Sequence, residues 1–306
     1  MKVNWKGVYP AVTTKFTDSD ELDLLAFEKN ILAQVDAGVD GIILGGTLGE
    51  ASTLLDHEKR TLIRETVRIV ENKIPVIINI AEQSTKAAIQ TATQAAEDGA
   101  SGLMMLPPMR YKADDVETVE YYKQTANSTD LPIIVYNNPI DYGIEITLDM
   151  FEELAACKNI QAVKESTRDI SNITRMINRF GNRFKILSGV DTLALESLLM
   201  GADGWVAGLV CAFPRETVAI FKLAKAGKIQ EAIDIYRWFL PLLELDINSK
   251  LVQNIKLAEV ATGIGTENVR APRLPLAGEE RQKVLQIIQD GLANRPSLPN
   301  YLELAR

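Results

Sequence analysis

Short runs that are apolar on both faces recur through the first two-thirds of the chain, and each is followed by a longer segment with apolar residues at helical spacing. The runs predict strands over 7–14, 41–46, 75–81, 102–107, 132–137, 160–164, 184–189 and 204–209, with starts roughly 20 to 35 residues apart. That spacing suits a strand, a helix and two loops. Helix starts are expected within 53–56 and at Ser84. Three segments repeat one another: Gly38-Val39-Asp40-Gly41, Gly99-Ala100-Ser101-Gly102 and Gly201-Ala202-Asp203-Gly204. In each, one glycine closes a helix and a second opens a strand. Eight repeated βα units fit a closed α/β fold, the (β/α)8 TIM barrel, better than an open doubly wound sheet.

After Leu209 the pattern changes to helix. Helices are expected over 214–226, 229–245 with Pro241 as a kink, 249–262 and 279–292. The first closes a barrel of residues 1–227. The rest form a C-terminal helical extension, 228–306, whose apolar face (Ile233, Tyr236, Trp238, Phe239, Leu242 and Leu243) packs on the barrel or on another subunit.

A chain of 306 residues is ample for one large core. Its net charge of -8 argues against nucleic acid or an anionic membrane as partner. No signal peptide or membrane-spanning run is expected, and two cysteines, Cys157 and Cys211, suit a reducing cytoplasm. The single histidine, His57, lies in a charged stretch that reads as the solvated first turn of a helix. With one histidine there is no plausible zinc site, and proton transfer falls to tyrosine, lysine, carboxylates or the substrate.

Chemistry in a barrel is expected at the carboxyl ends of the strands. The sixth run, Ile160 to Lys164, ends in an amine. Lys164 either reaches solvent as an ordinary ammonium or, walled by apolar groups, loses basicity and becomes a nucleophile able to form a Schiff base with a carbonyl. The second run ends in Gly45-Gly46-Thr47-Leu48-Gly49-Glu50, where successive N–H groups can hold a carboxylate. It is not a P-loop, because the lysine and following hydroxyl residue are missing. The fifth ends in Tyr136-Asn137-Asn138-Pro139, and its phenol either relays a proton or caps the core. Gly189 offers close backbone approach after the seventh run, and Val206, Ala207 and Gly208 leave room at the eighth.

These motifs resemble, in order and over essentially the whole chain, the dihydrodipicolinate synthase and N-acetylneuraminate lyase superfamily of Schiff-base barrels. Gly46-Thr47-Leu48-Gly49-Glu50 is similar to the family's GTTGE, Tyr136-Asn137-Asn138-Pro139 to YNxP, Val163-Lys164-Glu165 to (I/V)KE, and Ser188-Gly189-Val190-Asp191 to SGxD. The resemblance implies that Lys164 is the Schiff-base lysine and Tyr136 the proton relay, with Thr47 in the catalytic set. It implies that Thr47 and Leu48 hold the substrate carboxylate, that Gly46, Asn138, Gly189 and Val206 line the pocket, and that the protein is a homotetramer. No metal or cofactor is expected, because the imine itself supplies the electrophile.

The sequence also departs from the family pattern. Asp141 stands where dihydrodipicolinate synthases carry an arginine that grips the second substrate's carboxylate, and Leu48 replaces a threonine. Arg110 occupies the place of the inter-subunit tyrosine, with Tyr111 one position later. The expected substrate is therefore a small 2-oxo acid with one α-carboxylate or an equivalent cyclic imine, with 1-pyrroline-4-hydroxy-2-carboxylate, broken down by a deaminase of hydroxyproline catabolism, as the lead. Alternatives are a 2-keto-3-deoxy sugar acid dehydratase or aldolase, a dihydrodipicolinate synthase, and a non-catalytic barrel that only binds an oxo acid. A phosphate-binding barrel would need paired glycine-rich turns after the last two strands, and only Ser188-Gly189 comes near.

Overall fold

The computed structural model describes residues 2–108 and 110–304. Among the described residues, eight parallel strands form one sheet: β1 (Gly7–Pro10), β2 (Ile42–Leu44), β3 (Val76–Ile80), β4 (Gly102–Met105), β5 (Ile133–Asn137), β6 (Ile160–Glu165), β7 (Lys185–Ser188) and β8 (Gly204–Ala207). Each pairs with its neighbour in sequence, β1 pairs with β8, and a bridge between Ala11 and Ile43 joins β1 to β2. With helices between successive strands, this is a (β/α)8 barrel.

All eight expected strands are present, but β1 ends at Pro10 rather than at residue 14. Beyond Ala11 the side chains are recruited elsewhere: Thr13 Oγ1 donates to Glu259 Oε1 at 2.6 Å, and Thr14 Oγ1 to the Gly49 carbonyl at 2.7 Å. The helix expected to start within 53–56 runs from Asp56 to Val70, after a 3-10 turn at Ala51–Thr53. Its first turn is tied by Glu58, whose Oε2 accepts the Leu55 N–H at 2.8 Å. His57 is exposed there. Ser84 caps helix Thr85–Glu97 by accepting the Ala87 N–H.

The three repeated segments share one construction. Gly38, Gly99 and Gly201 have φ of 87, 92 and 111°, a region that L side chains rarely adopt. The polar residue that follows then takes an N–H of the preceding strand: Asp40 from Val8, Ser101 from Val76, Asp203 from Ile186. The repeat is thus a device that turns a helix into a strand and satisfies the backbone at the barrel's lower rim.

Two apolar cores result. One fills the barrel interior with Tyr9, Ile43, Ile77, Met104, Ile134 and Leu187, and reaches upward to Tyr136 and Val206. The other lies between strands and helices. Helix Ile229–Leu243 continues through Pro241 and gives way to a 3-10 turn at Glu244–Ile247, followed by helices Leu251–Ala261 and Gly278–Ala293. Tyr236, Phe239, Leu242 and Leu243 are buried within the chain, and Trp238 stacks on Phe239 at 5.3 Å. Pro107 and Pro108, in the loop after β4, are buried as well, so neither they nor the aromatic face is left over to argue for a subunit contact. Met109, which precedes Arg110 in that loop, lies outside the described residues.

Helix Leu251–Ala261 docks through charge as well as apolar surface. Glu259 pairs with Lys15 at 3.0 Å, and Lys256 pairs with Glu50, all four side chains being fully buried. Glu50, from the glycine-rich turn, has a left-handed φ of 56° and also accepts the Arg270 N–H. No described helix is long and apolar enough to cross a membrane.

Candidate active site

The carboxyl ends of the strands surround a solvent-connected cavity of about 80 Å³. Gly46, Thr47, Leu48, Tyr136, Asn138, Lys164, Gly189 and Val206 all line it. The expected residues therefore converge, although they come from five different strand ends.

Register explains the central pair. Tyr136 of β5 lies opposite Lys164 of β6, so both side chains point to the same face of the pleated sheet. The Lys164 Nζ sits 3.8 Å from the centroid of the Tyr136 ring. Lys164 is only 7% exposed, and burial lowers its pKa, against the pull of Tyr142, Asp246, Asp191 and Asp141. Burial also acts on Tyr136, pushing its phenol up to about 12 even though Asn138 Nδ2 donates to it at 3.3 Å. A less basic amine next to a phenol that keeps its proton can attack a carbonyl and then transfer protons.

Gly189 makes room for the lysine. A Cβ there would lie 2.7 Å from Lys164 Cγ and 2.0 Å from Ser166 Oγ, so any side chain would displace the amine. The buried Ser166 Oγ has no protein partner among the described residues and faces the same cavity. Asn138 has its amide engaged by Tyr136 and Asp141, and so orients the wall. Asp191 is a structural residue: its carboxylate accepts from Trp205 Nε1 at 2.9 Å and from the N–H groups of Gly208 and Leu209.

Four polar lining residues were missed by sequence reasoning: Tyr142, Ser166, Arg168 and Asp246. Asp141 Oδ2 is held by Asn138 at 2.7 Å, and Arg168 approaches its other oxygen at 4.0 Å. Arg168 itself has φ of 63°. Asp246 enters from the C-terminal extension and lies over Gly208, where a Cβ would meet its Oδ1 at 2.4 Å. Burial, then Asp191, raises Asp246 well above the usual carboxylate range. Arg110 lines an adjoining groove with Lys59 and Arg273, which shares Thr47 and Tyr142 with the cavity, and Tyr111 is exposed, its Oη donating to Glu117 at 3.1 Å. Neither Arg110 nor Tyr111 lines the cavity itself within this chain.

The chain is 32% identical to the 4-hydroxy-tetrahydrodipicolinate synthase of Exiguobacterium sibiricum over 275 residues, 89% of this chain and 92% of that one. It is 30% identical to the enzyme of the same name from Methanosarcina barkeri over 282 residues, 92% of this chain and 96% of that one. Among solved structures, dihydrodipicolinate synthase from Aquifex aeolicus superposes with a TM-score of 0.89 at 30% identity, covering 96% of this chain and all of that one. Another, described as the first monomeric dihydrodipicolinate synthase variant, superposes with a TM-score of 0.88 at 27% identity, covering 93% of this chain and 96% of that one. These relatives bear the synthase name and not that of a deaminase. Residues 4–291 match the dihydrodipicolinate synthetase family, and with the barrel in place the chain is a member of that family of Schiff-base lyases.

Proposed function

We propose that Lys164 forms an imine with the 2-oxo carbon of a small acid bearing one carboxylate, and that the imine drives elimination of a hydroxyl from C4. The observation that carries this reading is the buried, less basic amine stacked on a phenol that holds its proton. The neutral amine adds to the carbonyl and water leaves, giving a protonated imine that acts as an electron sink. Tyr136 takes the proton from C3 while its own moves on towards solvent, and the resulting enamine expels the C4 hydroxyl as Tyr136 supplies a proton to it. Thr47 and the backbone N–H of Leu48 hold the carboxylate, Gly46 and Gly189 allow close approach, and Val206 closes an apolar wall.

Asp141 at the rim repels a second carboxylate, whereas a 4-hydroxyl is compatible with it and with the raised Asp246 carboxyl as a donor. 1-Pyrroline-4-hydroxy-2-carboxylate meets these demands, giving 2-oxoglutarate semialdehyde with release of ammonia, and a 2-keto-3-deoxy sugar acid is the next candidate. The relatives' name supports a second reading, condensation of pyruvate with aspartate semialdehyde. Arg168 beside Asp141 is the cation such a reaction would need. Comparing kcat/KM for these compounds side by side separates the two. An elimination substrate is expected to lead by at least about 100-fold, the equivalent of roughly 3 kcal/mol. Dominant condensation would overturn the elimination reading and assign the second carboxylate to Arg168.

The free thiols of Cys157 and Cys211 suit a cytoplasmic setting. By family resemblance the protein is a homotetramer, with a contact near the loop of residues 109–112. Light scattering at micromolar concentration is expected to give about four times the 33.8 kDa protomer mass, and a 33.8 kDa species alone would refute it.

A further inference from the structure

Thr47 does more than face the substrate, because its Oγ1 lies 2.5 Å from Tyr142 Oη. Tyr142 comes from the short helix Pro139–Tyr142, which the Asn138 side chain caps by accepting the Asp141 N–H. Its ring meets that of Tyr136 edge-on, with centroids 5.5 Å apart and planes at 82°. The two side chains act on each other, the contact lowering Tyr136 and raising Tyr142, as expected where Tyr142 is the partner that gives a proton and Tyr136 the one that receives it. A phenol has one proton to give. If Tyr142 donates to Tyr136, it must accept from Thr47. Tyr136 Oη then receives two donors, Tyr142 and the Asn138 amide, and its own hydrogen is left for the cavity, where Lys164 lies.

We propose that Tyr142 completes the proton path of this site within a single chain, acting on the substrate through Tyr136. When Tyr136 gives its proton to the departing hydroxyl, one O–H bond breaks and another forms at each step. Tyr142 reprotonates Tyr136, Thr47 reprotonates Tyr142, and solvent at the mouth reprotonates Thr47. One proton enters from solvent in this direction, and the one lost from C3 returns to solvent by the reverse shift. Thr47 is exposed, so the path has an outlet. Tyr111, by contrast, is turned to Glu117. The family's inter-subunit tyrosine thus has a replacement inside this chain, six residues after the phenol it serves. Tyr142 is a positioning and proton-passing residue in this scheme.

This inference rests on the Schiff-base reading, and the test separates the two. Pyruvate serves as the probe. Borohydride trapping reports the imine at Lys164, and exchange of the pyruvate methyl protons for deuterium reports proton transfer after the imine has formed. Tyr142→Phe keeps the ring and removes Oη. It is expected to retain trapping, lower the exchange rate roughly 100-fold and shift its pH profile, with the pyruvate concentration for half-maximal rate within about threefold of the parent. Thr47→Val is expected to show a similar loss, and Thr47→Ser to restore most of it. Thr47 is at the surface, so these two variants decide the matter should Tyr142→Phe not fold: loss of a relay lowers the maximal exchange rate, whereas loss of a carboxylate contact alone raises the half-saturating pyruvate concentration. Tyr111→Phe is expected to behave as the parent. Unchanged exchange in Tyr142→Phe, or a change in half-saturation alone, would overturn the relay while leaving the imine intact. A large loss in Tyr111→Phe would overturn its single-chain character. No labelling of Lys164 in the parent protein would overturn the Schiff-base reading beneath it.

Discussion

Lys164→Ala is expected to lose at least about four orders of magnitude in turnover, because it removes the covalent step and not merely a contact. Incubation of the parent protein with substrate and borohydride adds the reduced substrate's mass to the peptide that carries Lys164, and the variant shows no such addition. An unlabelled Lys164 peptide with turnover intact would refute the assignment. The pH dependence follows from the direction of the shift. Burial depresses the lysine below its ordinary 10.5, so the neutral amine becomes populated at lower pH than for a free lysine. Imine formation therefore rises as pH climbs through the depressed value and levels off before 10.5. Tyr136, pushed up to about 12, keeps its proton across that whole range. A rise that continued to 10.5 would mean that the amine is hydrated in the resting site.

The second large effect concerns stability. Lys256→Met is expected to lower the free energy of unfolding by about 3 to 5 kcal/mol, because it leaves the Glu50 carboxylate buried with its principal counter-charge gone. Arg270 N–H and the more distant Arg273, at 3.7 Å, cannot replace an ammonium in direct contact. Burial pulls Lys256 down to about 8 even beside Glu50, which shows how costly desolvation is at this position. The double change Lys256→Met with Glu50→Gln removes both charges together, and it is expected to recover most of the loss. Urea denaturation of the parent, both single variants and the double variant forms the cycle. Additive losses would mean that the two groups do not interact, and a single-variant loss under about 1 kcal/mol would mean that water reaches the pair.

The barrel was legible because its signals are local. Eight apolar runs and three glycine-flanked joints repeat with a period that few other folds share. Lys164 and Tyr136 stood out as polar residues closing apolar strands, but each kept an alternative reading until the family resemblance implied its role, and the register that places them side by side follows from neighbouring strands. Tyr142 was not singled out, since a tyrosine after an Asn-Pro turn carries no pattern of its own until the turn folds it back onto Thr47. Arg168 depends on a left-handed backbone that its sequence does not announce. Asp246 is the hardest case. It reads as one acidic residue among many in a helical region, and only the docking of that region brings it over Gly208. The short β1 has the same origin, because Thr13 is drawn away by Glu259, far along the chain.

The placement of Asp246 and of the Lys256–Glu50 pair has a consequence for the timing of synthesis. The glycine-rich turn proposed to hold the carboxylate and Lys164, the proposed imine lysine, both leave the ribosome well before residues 246 to 256. Until those residues emerge, Glu50 has no ammonium to meet, and the mouth above Gly208 lacks its lid. A nascent chain can therefore close its ring of strands while its reactive amine still sits in an unfinished chamber. Competence arrives late, with the last helices, and a product released early by premature termination would be a barrel without a working site.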